Sequence, residues 1–272
     1  MNKDRGHFTL HVGPTHKEDT PQKNGNEKRD LKTILKDGTK QILVSLLIFV
    51  VAFVAMNWRA YYVIAKNEIE KLLGTNGQSE LTELVETTEE QKTQQILVAK
   101  DESTAKQIKT IPPLHLDITP PDTRLIIPRI NENLPVIRVS SENLIDKNWD
   151  ALEGDMQEAL KSGVVHYPGT SLPDQTGNTV VTGHSSYFPW DPGRFKDVFA
   201  LLHDVVVGDK IALYYNQHKY IYKISNIDVV LPSNLDILKQ TPDQKLTLIT
   251  CTPIGTNLKR LVVTADLIEE QI

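Results

Sequence analysis

The chain has 272 residues, 24% of them charged and 39% hydrophobic, with a formal net charge of −5. That balance is ordinary for a folded protein with polar additions and gives no reason to expect a nucleic-acid partner. A single cysteine excludes an internal disulfide and any CxxC metal or redox site, so the thiol is either inert or reactive.

Residues 1–40 are polar, mixed in charge and without hydrophobic periodicity, which predicts a disordered tail. Lys28, Arg29, Lys32, Lys36 and Lys40 lead into an apolar run from Ile42 to Met56. Extended through Trp58, Tyr61, Tyr62 and Ile64, it approaches the roughly 20 residues that cross a bilayer. The run shows no polar face, as a core helix would, and begins too far from the N-terminus for a signal peptide. Residues 41–64 are therefore expected to be a transmembrane signal anchor. The aromatic residues would form an interfacial belt, and the preceding cations place the N-terminus in the cytoplasm. Everything after residue 65 would then be extracytoplasmic.

Residues 65–121 are acidic and rich in Gln and Thr, with weak apolar pieces at Ile69-Leu72-Leu73 and Leu81-Leu84-Val85. They read as a stalk, closed by a stiff linker bracketed by Ile111-Pro112-Pro113 and Thr119-Pro120-Pro121. From Arg124 the pattern changes to short β-branched runs broken by turns. Eight strands are expected near 124–128, 135–139, 163–167, 178–183, 209–215, 219–230, 245–251 and 260–268. Trp149, Leu152, Met156 and Leu160 predict a helix over 147–161, and Phe195, Val198, Leu201 and Leu202 suggest a second, shorter one. The fold class is mainly β, a barrel or sandwich with two short helices.

Two strand ends carry the chemistry. A β-branched run, Asn178 to Thr182, ends at Gly183 and is followed at once by His184. Another, Thr247-Leu248-Ile249-Thr250-Cys251, is joined by a Pro-, Gly- and Asn-containing turn to a run bearing Arg260. Antiparallel pairing would bring Cys251 beside Arg260, and a neighbouring cation favours a thiolate. A buried, inert cysteine is the plainer alternative. Lys259 would face away from Arg260 by strand alternation, and Ser185 and Ser186 lack the Gly-x-Ser-x-Gly elbow of a serine hydrolase. His166 reads as structural. The loop carboxylates Glu142, Asp146, Asp191 and Asp197 read as solvated, with no metal assigned.

Thr247 to Cys251 matches the TLxTC signature of the sortases, Thr182-Gly183-His184 resembles their catalytic-histidine segment, and Arg260 matches their strand-borne arginine. The order and spacing agree over roughly 122–272. The resemblance implies an eight-stranded sortase-type β-barrel as catalytic domain, a Cys251 nucleophile, a His184 acid/base and an Arg260 that stabilises the substrate carbonyl. Thr250 and Ser185 become substrate-binding candidates. The activity implied is cleavage of an LPxTG-like sorting motif through a thioester, with transfer to an amine and no cofactor. Its partners would be surface proteins bearing the motif, a cell-wall peptide or pilin lysine, and the membrane. An extracytoplasmic cysteine endopeptidase and a non-catalytic binding domain on the same barrel are the alternatives. Ser185 stands where many relatives have arginine, and the pattern from Cys251 to Arg260 resembles pilin-polymerising members, so the subclass stays open.

Overall fold

β-Branched and aromatic residues in alternation can bury one face of a strand, and closing the sheet on itself removes its edges. The computed structural model describes residues 31–74, 80–87, 90 and 119–271, and in it eight strands close in that way. They are β1 Arg124–Ile127, β2 Glu132–Arg138, β3 Val164–His166, β4 Asn178–Thr182, β5 Lys210–Tyr215, β6 His218–Val230, β7 Lys245–Thr252 and β8 Lys259–Gln271. Around the barrel the order is β1-β2-β3-β4-β7-β8-β6-β5, with β1 pairing β5 to close it. Two neighbouring pairs are parallel, β2 with β3 and β4 with β7; the others are antiparallel.

The core alternates as the strands require. Val181 of β4, Leu246 and Leu248 of β7, and Leu261, Val263 and Ala265 of β8 point into one buried apolar cluster with Leu125, Leu213 and Tyr222. Residues between them, Thr182, Ile249 and Val262, therefore lie on the outer face.

Four α-helices are described. α1 spans Leu31–Met56 and α2 Trp58–Leu72, with Asn57 between them. Within α1, Gly38–Met56 is the one stretch among the described residues long and apolar enough to cross a membrane. The chain divides into two units, Met1–Ile48 and Phe49–Ile272; the second holds α2 and the barrel. α2 buries Ala60, and its Val63 and Ile64 pack against the barrel core. The 3-10 turn Glu80–Val85 seats Val85 on Ile126, Ala212 and Tyr214.

α3, Glu142–Ile145, precedes α4, Trp149–Leu160. Leu152, Met156 and Leu160 bury the expected stripe of α4 against Val165, and Asn148 caps it by accepting from the Ala151 amide. Trp149 is not part of that stripe; at the first position it stays exposed. The second short helix is α3 rather than one at 195–202. There Val198, Phe199, Leu201 and Leu202 are buried by turns that fold onto the core, ending in the 3-10 turn Leu202–Asp204. Residues 1–30, and most of 75–118 with Ile111-Pro112-Pro113, lie outside the described residues.

Candidate active site

The site is built from the ends of three adjacent strands. In the parallel pair β4/β7, Thr182 sits opposite Ile249. The Gly183 amide continues the ladder onto the Ile249 carbonyl at 3.2 Å. Two residues further along each strand, His184 and Cys251 follow at the same end. In the antiparallel pair β7/β8, Cys251 is the register partner of Arg260, and directly opposed residues present their side chains on one face. His184, Cys251 and Arg260 thus converge at one end of the barrel, on its outer face, from positions up to 76 residues apart in sequence.

Two threonines of β7 tie it to β4, Thr250 at the end that carries the site and Thr247 onto Asn178 at the far end of the pair. Thr250, buried at 3% exposure, donates its hydroxyl to the Gly183 carbonyl at 2.8 Å. Thr247 donates to the Asn178 side-chain oxygen at 2.7 Å, while the Asn178 amide donates to the Ile237 and Lys239 carbonyls. Buried hydroxyls need such partners, and both bonds cross from β7 to β4 or its continuation. Ser185 is also buried, so neither it nor Thr250 presents its side chain to bulk solvent.

Cys251 is half-buried and free. The His184 imidazole stacks on Tyr187, with ring centroids 4.3 Å apart. Burial pushes its pKa down to about 4, against the opposing pull of the Asp191 and Glu153 carboxylates. The ring is therefore neutral at pH 7, with one nitrogen unprotonated. Tyr187 continues through Phe188 to Trp190 as an aromatic ladder, its base fixed by the buried Lys196, which donates to the Pro189 carbonyl.

Arg260 Nη1 donates to the carbonyls of Asn257 and Lys259, at 3.1 and 3.2 Å. These bonds fold the guanidinium back onto its own loop, and among the described residues Nε and Nη2 make no hydrogen bond. Lys259, the first residue of β8, is exposed.

His166 lies apart from this group. It is buried, with Nε2 against the Ser171 carbonyl and the Thr170 hydroxyl, and burial lowers its pKa. Asp191 accepts from the Gly193 amide, and Asp197 pairs with Arg59. No group of three or more metal-ligating side chains assembles among the described residues. Two features had no sequence signal. Ser186 gives its hydroxyl to Asn57, and Glu132 at the start of β2 is half-buried, where desolvation first and the Asp197 charge second raise its pKa to about 8.

The closed eight-stranded barrel that carries these residues at three neighbouring strand ends matches one family of known proteins. The sortase-domain family model matches residues 125–268, and the chain belongs to the sortase family. Sortase A of Bacillus anthracis is 28% identical over 145 residues, covering 53% of this chain and 59% of that protein. Sortase D of Bacillus subtilis is 27% identical over 143 residues, covering 51% and 60%. The chain thus spans about three fifths of the length of these curated relatives. Among solved structures, the complex of Streptococcus agalactiae sortase C1 with MTSET aligns at 31% identity with a TM-score of 0.43, covering 54% of this chain and 67% of that one. A lid mutant of sortase A from Corynebacterium diphtheriae gives 29% identity and a TM-score of 0.44, covering 58% and 74%.

Proposed function

We propose that this protein is a membrane-anchored cysteine transpeptidase that cleaves an LPxTG-like sorting motif and joins the acyl fragment to an amine. The observation that carries the reading is the shared strand end of His184, Cys251 and Arg260. Cys251 Sγ attacks the scissile carbonyl carbon as its proton passes to the neutral His184 imidazole. Arg260, through Nε and Nη2, donates to the carbonyl oxygen as it gains negative charge, the purpose of a preorganised donor in acyl transfer. The C–N bond then breaks, and the leaving amine takes the proton from His184. What remains is a thioester on Cys251.

An incoming amine reverses the sequence. It attacks the thioester carbonyl and gives its proton to His184, the C–S bond breaks, and Sγ recovers a proton. One amide replaces another, so no cofactor is needed. Cysteine suits both halves because its thiolate is a good nucleophile and a good leaving group. Thr250 and Ser185, both buried, enter this reading from beneath the site, Thr250 by holding Gly183 beside the nucleophile's strand.

In this reading α1 anchors the chain with its N-terminus in the cytoplasm, and the barrel works outside the membrane. The substrates are surface proteins bearing the motif, and the amine comes from a cell-wall peptide or a pilin lysine. Product analysis of a cleaved peptide, with and without an added amine, tests the assignment. A new amide to the amine supports transpeptidation; a free carboxylate under both conditions makes the protein an endopeptidase.

A further inference from the structure

We propose that Asn57, at the break between α1 and α2, is a positioning residue for this reaction, holding the loop after His184 in register with the loop after Cys251. The inference rests on the function proposed above. Asn57 has non-helical backbone angles, φ −109° and ψ 15°, and stands where α2 would take a capping side chain. It makes no such cap. Its Nδ2 instead donates to the Phe53 carbonyl at 2.9 Å, which fixes the amide plane and turns Oδ1 outward. Ser186 Oγ donates to that oxygen at 2.9 Å and accepts from the Gly255 amide, also at 2.9 Å.

The result is a chain of donors from Gly255 through Ser186 to Asn57. Ser186 is two residues beyond His184, and Gly255 four beyond Cys251. A hydroxyl has one proton, and here Asn57 takes it, which leaves a lone pair for the Gly255 amide. Removing Asn57 frees that proton to turn elsewhere and loosens the tie between the two loops. The backbone has been shaped for the contact. Gly255 sits at φ +79°, and a Cβ there would come within 2.7 Å of Asn57 Nδ2. Any other residue would both strain the turn and displace the asparagine.

The element carrying Asn57 is itself docked. Ala60 is 1% exposed, Val63 and Ile64 pack on the barrel core, and Arg59 pairs with Asp197. One turn from its end, Asn67 and Lys71 both meet Asp204 Oδ2, at 2.6 and 2.8 Å. Charge and apolar contacts thus bring the residue next to the candidate span into the working face of the enzyme. Small displacements of acid/base and nucleophile are costly in rate.

The test uses the full chain in detergent micelles and compares Asn57→Ala, Ser186→Ala and the double variant, with Lys66→Ala, at an exposed position of the same helix, as a control. With a peptide that acylates the wild type, each single variant is expected to lose about tenfold in kcat with KM little changed. The double variant should be no slower than Ser186→Ala alone, because both act through one hydroxyl. Lys66→Ala should keep its kcat. Unchanged kcat in Asn57→Ala and Ser186→Ala, or losses that multiply in the double variant, overturns the proposal. Amide exchange at Gly255, read in the same samples, separates this from failure of the functional reading. If the wild type acylates nothing, that reading fails, while faster Gly255 exchange in both single variants still supports the tether and unchanged exchange removes it.

Discussion

Cys251 and Arg260 are cross-strand partners in the β7/β8 ladder, and the guanidinium is held from one nitrogen only, by the Asn257 and Lys259 carbonyls. That arrangement keeps a permanent cation on the face of the sheet that carries the thiol while leaving most of its donors unspent. Charge and fork geometry make separable contributions, and substitution can part them.

Arg260→Lys retains the charge but not the planar fork, and Arg260→Ala retains neither. Both are expected to lower kcat/KM, Arg260→Ala by about 100-fold or more, in the range of losing an oxyanion donor. Lys259→Ala, at an exposed position, should stay within about twofold of wild type. Steady-state kinetics on one peptide checks all three.

Thr250→Val replaces a buried hydroxyl by a methyl group and leaves the Gly183 carbonyl without its donor. A loss of about 1–3 kcal/mol in unfolding free energy is expected by chemical denaturation. Activity should fall as well, since the same bond aligns the strand ends that carry His184 and Cys251.

The His184 imidazole should titrate near pH 4 in an NMR pH series of the native protein. The folded state resists a proton that the unfolded chain accepts near pH 6.5, so the histidine's contribution is complete above pH 6.5. It is lost as pH falls towards 4, by up to about 3 kcal/mol. His184→Gln should flatten stability between pH 6.5 and pH 4.

Glu132 has the opposite dependence. Burial, with the Asp197 charge adding to it, raises its carboxyl to about 8, so the fold favours the protonated form. Its contribution is complete below about pH 4.5 and lost as pH rises towards 8. Glu132→Gln, which cannot ionise, is expected to gain on wild type between pH 6 and pH 8, on the order of 2 kcal/mol. Denaturant midpoints at the two pH values provide the comparison.

The eight strands were legible because β-branched runs and turn residues report strand and connection directly. The strand-end positions of His184, Cys251 and Arg260 were legible because a β-branched run stops or starts beside each. Phe195, Val198, Leu201 and Leu202 misled, since buried turns produced a helix-like spacing. Trp149 was drawn into a stripe that begins only at Leu152. The stretch from Asn57 to Leu72 turns polar after the apolar run, with Arg59, Lys66, Glu68, Glu70 and Lys71, while Ala60, Val63, Ile64, Asn67 and Lys71 recur at helical spacing on the docked face. No local signal marks the Asn57–Ser186 bond or the burial of Glu132. Both arise from contacts between segments distant in sequence.

The most direct measurement is intact-mass spectrometry of the full chain incubated with LPxTG-like peptides, beside Cys251→Ala. A mass increase equal to the N-terminal peptide fragment, absent from the variant and discharged by an added amine, is the expected result. No adduct and no cleavage with any peptide, from a folded protein whose thiol resists alkylation, would contradict the assignment of Cys251 as the nucleophile and leave the barrel a binding domain.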